Sequence, residues 1–110
     1  MYEVVKSLEI SAAHRLSLPY ESKCTNLHGH NWRIKVFLHS ETLNDEGMVM
    51  DFKTIKTKIE NRLDHKVLND EVSFNPTAEN LAKFICDELE PFCFRVEIFE
   101  SENNMAVYYK

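Results

Sequence analysis

Between Leu38 and Phe52 the hydrophobic period of this chain changes, and that change limits its fold more than any other feature. In the run NWRIKVFL from Asn31, residues Trp32, Ile34, Val36 and Leu38 share one face, while Arg33 and Lys35 share the other. This is the period-two pattern of a half-buried strand. Upstream, YEVVKSLEIS puts Tyr2, Val4, Leu8 and Ile10 on one parity and predicts a strand over about residues 2–11. From Asp51 the spacing becomes three and four. Phe52, Ile55, Ile59 and Leu63 form the apolar stripe of an amphipathic helix, with Asp51 placed to cap it.

The segment VLNDEVSFNPT reads as a loop, and Asn75, Pro76 and Thr77 punctuate the start of a second helix. Its inward stripe is Leu81, Phe84, Ile85 and Leu89, and Pro91 lies just past its end. Two alternating runs follow, one with Phe94, Val96 and Ile98 and one with Met105, Val107 and Tyr109; SENN between them suits a hairpin loop. The order ββααββ predicts an α+β fold: a four-stranded antiparallel sheet with two helices on one face. At 110 residues the chain is one domain's worth, residues 1–110. Four strands leave exposed edges, so pairing between subunits, a homo-oligomer, is expected.

Charge excludes some function classes. A net charge of −5, with Lys and Arg scattered, argues against nucleic acid as a partner. The longest apolar runs are a few residues, so no membrane partner is expected, and no signal peptide precedes the first strand. A cytoplasmic location follows as an expectation. Three cysteines without a secretory signal do not predict a disulfide framework.

The chemistry concentrates in CTNLHGHNW, Cys24 to Trp32. His28 and His30 are two apart at the entrance to the clearest strand. If the strand begins that early, alternation aims both imidazoles at one face, with Gly29 between them leaving the opposite face open. His14, in SAAHRL, comes from the end of the antiparallel partner strand. Three neutral imidazoles suit Zn2+, as in catalytic sites with three protein ligands and an open position. Cys24 would close that site as a fourth ligand, transfer protons as a free thiol, or pack as a small hydrophobe. Asp64 and His65 end the first helix; a carboxylate that orients an imidazole suits acid–base work, but helical neighbours point about 100° apart. Glu100, at the end of the third strand, is able to accept two parallel N–H bonds from a heterocycle. Glu79 suits a helix N-terminus. His39 reads as surface, and Cys86 and Cys93 as core.

These residues carry a resemblance. SAAHRL, CTNLHGHNW, GMVMDF, RLDHKVLND, NPTAEN and FESENN occur in an order that resembles the 6-pyruvoyl-tetrahydropterin synthase family over nearly the whole chain. The resemblance implies the tunnelling fold, or T-fold, with subunits pairing sheets into an oligomeric barrel, commonly a trimer stacked into a hexamer. It implies zinc on His14, His28 and His30 with Cys24 off the metal. It further implies that Cys24, Asp64 and His65 form a proton-transfer group at a subunit interface, that Glu100 anchors the pterin, and that Thr77 and Glu79 line its pocket. The implied substrate is 7,8-dihydroneopterin triphosphate.

Three residues separate Cys24 from HGH, a spacing similar to that of the bacterial 6-carboxytetrahydropterin-forming branch, which serves queuosine (7-deazaguanine) biosynthesis. The alternatives are triphosphate elimination to the pyruvoyl product or, from another class, a non-catalytic zinc-stabilised binding module. Arg15, Lys23 and Lys66 are candidates for the triphosphate by charge alone.

Overall fold

The first two strands are longer than alternation alone predicts. In the computed structural model, which describes residues 1–110, β1 runs Tyr2–His14 and β2 runs His28–Ser40. They pair antiparallel without a break, from Tyr2 opposite Ser40 to His14 opposite His28. The chain between them contains one 3-10 turn, Lys23–Thr25, capped by the Ser22 hydroxyl.

Helix α1 (Phe52–Leu63) starts where Asp51 accepts a bond from the Lys53 N–H at 2.8 Å, and it buries Ile55, Ile59 and Leu63. Phe52, assigned to that stripe by spacing, is half exposed. It opens the first turn, beyond the covered part of the sheet, and lines an apolar groove with Tyr2, Leu43, Met48 and Met50. Strand β3 (Lys66–Val67) and the single helical turn α2 (Leu68–Glu71) occupy the start of the segment expected to be a loop. Both are too short to show a period in sequence; the fully buried Leu68 anchors them. Helix α3 (Ala78–Glu88) buries Leu81, Ala82, Ile85 and Cys86, while Phe84 is only half-buried, under the Arg62 guanidinium.

Strands β4 (Cys93–Ser101) and β5 (Asn104–Tyr109) complete one sheet of order β3-β1-β2-β4-β5. The four expected strands are antiparallel neighbours. β3 adds a fifth, parallel to β1, so the sheet is mixed. A register shift opposite Phe37 and Leu38 lets Cys93 and Val96 both point inward. In β5 it is Ala106 and Tyr108 that pack on the core, and Met105, Val107 and Tyr109 lie exposed on the other face. No helix is long and apolar enough to cross a membrane.

The core lies between this sheet and the helices, around Trp32, Ile34, Val36 and Leu38 of β2. Burying each such side chain contributes about 1.5–3 kcal/mol before its entropy cost. The inward parity of β1 and β2 continues past this core. After Ile10 and Ala12 it reaches His14, and before Trp32 it reaches His30 and His28. The candidate site is thus the polar end of the core face.

Candidate metal centre and active site

Because β1 and β2 stay paired to their ends, His14 stands directly opposite His28, and His30 opposite Ala12. The three imidazole centroids are 4.6, 4.8 and 5.2 Å apart. Trp32 closes the inner side, 5.0 Å from the His14 ring and 5.2 Å from His30, with its own N–H donated to the Ala12 carbonyl. Glu100, the next inward position after Val96 and Ile98, brings a carboxylate oxygen to 3.3 Å from His30 Nε2. One donor atom from each of His14, His28, His30 and Glu100 lies within 4.8 Å of the others.

The tautomers follow from the carbonyls. His14 Nδ1 lies 2.8 Å from the Pro76 carbonyl and His28 Nδ1 2.7 Å from that of Asn26. A carbonyl only accepts, so each Nδ1 carries the hydrogen and each Nε2 presents a lone pair. His14 is fully buried, and its Nε2 has no hydrogen-bond partner. The same is true of His30 Nε2, because Glu100 is close but not in hydrogen-bond geometry.

An orphaned buried polar atom costs about 1–3 kcal/mol, and a cation between two converging ones would offset that cost. Burial lowers the His14 pKa against the bond that its Nδ1 donates to the Pro76 carbonyl, and burial likewise lowers that of His30 against the Glu100 charge. Both are held as the neutral imidazoles that metal ions require. The donor set fits a metal ion.

Asp64 and His65 lie elsewhere. Helix α1 ends at Leu63; Asp64 is its C-cap and His65 adopts a left-handed φ of 58°. The helical geometry that would keep the two apart is therefore absent, and His65 Nδ1 sits 3.0 Å from Asp64 Oδ1. Ser11 holds both: its N–H donates to Asp64 Oδ1 at 2.9 Å and its carbonyl accepts from the His65 N–H at 2.7 Å. The Ser11 bond is the main reason the Asp64 pKa is lowered, and His65 adds to it. His65 is 82% exposed. It borders a cleft of 370 Å³ lined by residues 11–13 of β1, residues 29–31 of β2 and Lys66. Of these, Ser11, Ala13, Gly29 and Asn31 belong to the parity opposite the three imidazoles. A Cβ on Gly29 would meet nothing within 4 Å, so this face is open.

Cys24 is half-buried in the 3-10 turn, held through its backbone by Leu16 and Ser22. Its thiol is not among the donors gathered around His14, and no hydrogen bond joins it to Asp64 or His65 in the same chain. Thr77 caps α3, accepting from the Asn80 N–H at 3.1 Å, and Glu79 is exposed in the first turn. Both lie within three residues of Pro76, the residue whose carbonyl orients His14. Of the cationic candidates, Lys66 is 3.9 Å from Glu71, while Arg15 and Lys23 are exposed. Cys86 and Cys93 are buried in the core, where desolvation pushes the Cys86 thiol to about 12 and raises that of Cys93.

Sequence reading missed the residues that shape the segment after His14. The Asn69 amide accepts from the Arg15 N–H and donates to the Arg15 carbonyl, both at 2.9 Å. Asn75 does the same to Ser17, at 2.9 and 3.1 Å. Ser11 donates its hydroxyl to Asn31 at 2.8 Å. The only sequence sign of these bonds is asparagine in a turn-rich stretch.

Known proteins share this arrangement of chain. A relative from Synechocystis, named 6-carboxy-5,6,7,8-tetrahydropterin synthase, is 36% identical over 99% of this chain and 94% of its own. The human 6-pyruvoyl tetrahydrobiopterin synthase is 32% identical over 96% of this chain and 90% of its own. The structure of 6-pyruvoyl tetrahydropterin synthase from Caenorhabditis elegans superposes with a TM-score of 0.78 at 28% identity, covering 99% of this chain and 95% of that one. Residues 3–110 match the family described as 6-pyruvoyl tetrahydropterin synthase, and this chain, a T-fold protein, belongs to that family.

Proposed function

We propose that this chain is a zinc-dependent 6-carboxy-5,6,7,8-tetrahydropterin synthase of queuosine biosynthesis. It would convert 7,8-dihydroneopterin triphosphate and water to 6-carboxytetrahydropterin, acetaldehyde and triphosphate. The observation that carries this reading is the donor set: three imidazoles whose ring nitrogens converge on one point, and a cysteine standing apart from them. His14, His28 and His30 would hold the zinc, which when bound supplies Lewis-acid polarisation of the substrate's side-chain oxygens.

The chain's own groups do the remaining work. Glu100 accepts the adjacent N–H donors of the pterin, and Thr77 and Glu79 border the same pocket. Cys24 and His65 move protons between the side chain and the ring, with Asp64 holding the His65 Nδ1 hydrogen. Cys24 and the Asp64–His65 pair are unconnected within one chain, so the proton-transfer group is completed by a second copy in a homo-oligomer, a trimer or hexamer. The cytoplasm is the expected compartment.

A second reading, triphosphate elimination to the pyruvoyl product, is favoured by the human relative and by the C. elegans structure. The Synechocystis relative, matched over 99% of this chain, and the three-residue gap between Cys24 and His28 support the carboxy product. Incubation with dihydroneopterin triphosphate separates them: acetaldehyde with a carboxylated pterin is the expected result. A pyruvoyl pterin without acetaldehyde would replace the first reading by the second.

A further inference from the structure

After His14 the chain leaves the sheet, and the peptide groups of Arg15 and Ser17 lose their strand partner. Backbone groups in such a place need another donor and acceptor. An asparagine amide offers one of each in nearly the geometry of a peptide. Asn69 and Asn75 supply them, so the segment runs on as though still paired.

Asn75 differs from Asn69 in what it is attached to. Its side chain grips Ser17, just downstream of His14. Its carbonyl accepts from the Thr77 N–H at 2.8 Å and the Asn80 amide at 3.0 Å, which ties it to the start of α3. The next residue, the buried Pro76, supplies the carbonyl that receives the His14 Nδ1 hydrogen. One side chain therefore sets the distance between the strand that carries His14 and the acceptor that fixes its tautomer.

We propose that Asn75 is a positioning residue of the metal centre: by clamping Ser17 it holds the Pro76 carbonyl on His14 Nδ1 and keeps the His14 Nε2 lone pair turned toward His28 and His30. This rests on the reading of that cluster as a metal site. It extends the usual rule that the partner of a ligand's second nitrogen tunes the ligand by one further link.

The test uses the full chain, freed of metal and labelled with 15N at histidine. Long-range 1H–15N spectra of the wild type are expected to show His14 protonated at Nδ1 alone. In Asn75→Ala, His14 should populate both tautomers, and zinc titrated against a chromophoric chelator should bind about 10- to 100-fold more weakly. Asn75→Asp keeps the acceptor for the Ser17 N–H and should fall between the two; it carries the test if the alanine variant does not fold.

Asn69→Ala, whose clamp has no link to Pro76, should lower the melting temperature without moving the His14 tautomer. A lower melting temperature with unchanged tautomer and zinc affinity in the Asn75 variants would overturn the proposal. So would an equal tautomer shift in Asn69→Ala. A wild type that binds no zinc would refute the metal reading itself, and the His14 tautomer in Asn75→Ala would then decide the role of Asn75 alone.

Discussion

Histidines lie on both sides of the β1–β2 pair, His14 within it and His65 beside it after α1, and the two settings treat the ring in opposite ways. On the inner face His14 is fully buried, its Nδ1 hydrogen is taken by a carbonyl, and its Nε2 has nothing to bond. On the outer face His65 is 82% exposed, and its Nδ1 rests on the Asp64 carboxylate. A buried lone pair facing other lone pairs needs a donor or a cation between them, and a metal ion serves all of them at once. An exposed ring backed by a carboxylate is suited to taking up and releasing protons. Under the proposed function the same side chain would serve a metal in one place and proton transfer in the other, and the difference would come from what its second nitrogen meets.

The largest test of that contrast is His28→Ala. It should lose the metal and reduce turnover on the order of a thousandfold or more, since several kcal/mol of charge stabilisation goes with the ion. Metal content by mass spectrometry and acetaldehyde release check both halves. Cys24→Ala should retain the metal while turnover falls about 10²- to 10⁴-fold, as expected for a lost proton donor. If that variant also sheds zinc, the thiol belongs to the metal side of the comparison. Cobalt substitution gives the same answer, because a bound thiolate would add a sulfur-to-metal charge-transfer band that Cys24→Ala removes.

Mixing inactive Cys24→Ala with inactive His65→Ala sharpens the contrast further. Partial recovery of acetaldehyde release is expected if His65 of one chain serves the site that holds Cys24 of another. No recovery would confine both groups to one chain.

Asp64→Asn should lower turnover by no more than about 10²-fold, since it acts through His65. It also carries a pH signature. The folded Asp64 pKa lies below the ordinary value, chiefly through the Ser11 N–H. Its stabilising contribution is therefore complete above the unfolded carboxyl's pKa of about 3.9 and is lost as pH falls through the lower folded value. Denaturant midpoints of wild type and Asp64→Asn should differ at neutral pH and converge in acid.

The smallest effect concerns the other cysteines. With Cys86 pushed to about 12 and Cys93 raised, a disulfide reagent should modify Cys24 first, and the remaining two only on unfolding.

The inner face was largely legible in the sequence. Alternation through Trp32 and Ile34 extends back to His28 and His30, and antiparallel pairing supplies His14 from the neighbouring strand. The outer face was less so. The reach between Asp64 and His65 depends on where α1 stops and on a left-handed residue that is not glycine, and neither leaves a periodic trace. β3 and α2 are shorter than the windows in which a period shows. The inward side of β5 is carried by Ala106 and Tyr108 rather than by its more apolar residues, because an edge strand with one face on α3 and the other open is not sorted by hydrophobicity alone. The asparagine clamps are invisible for a related reason: each depends on one side chain meeting a distant peptide group.

The unbroken register between β1 and β2 has a consequence for folding. Side chains alternate with a period of two, so a slip of β2 by one residue would turn His28 and His30 to the outer face and leave His14 without companions. Many misaligned sheets would still bury some of the Ile, Val and Leu residues of these strands, but only the correct alignment gathers all three imidazoles. A metal ion that binds them would stabilise that one arrangement by mass action and none of the others. In that role it would proofread the strand alignment before it takes part in any reaction.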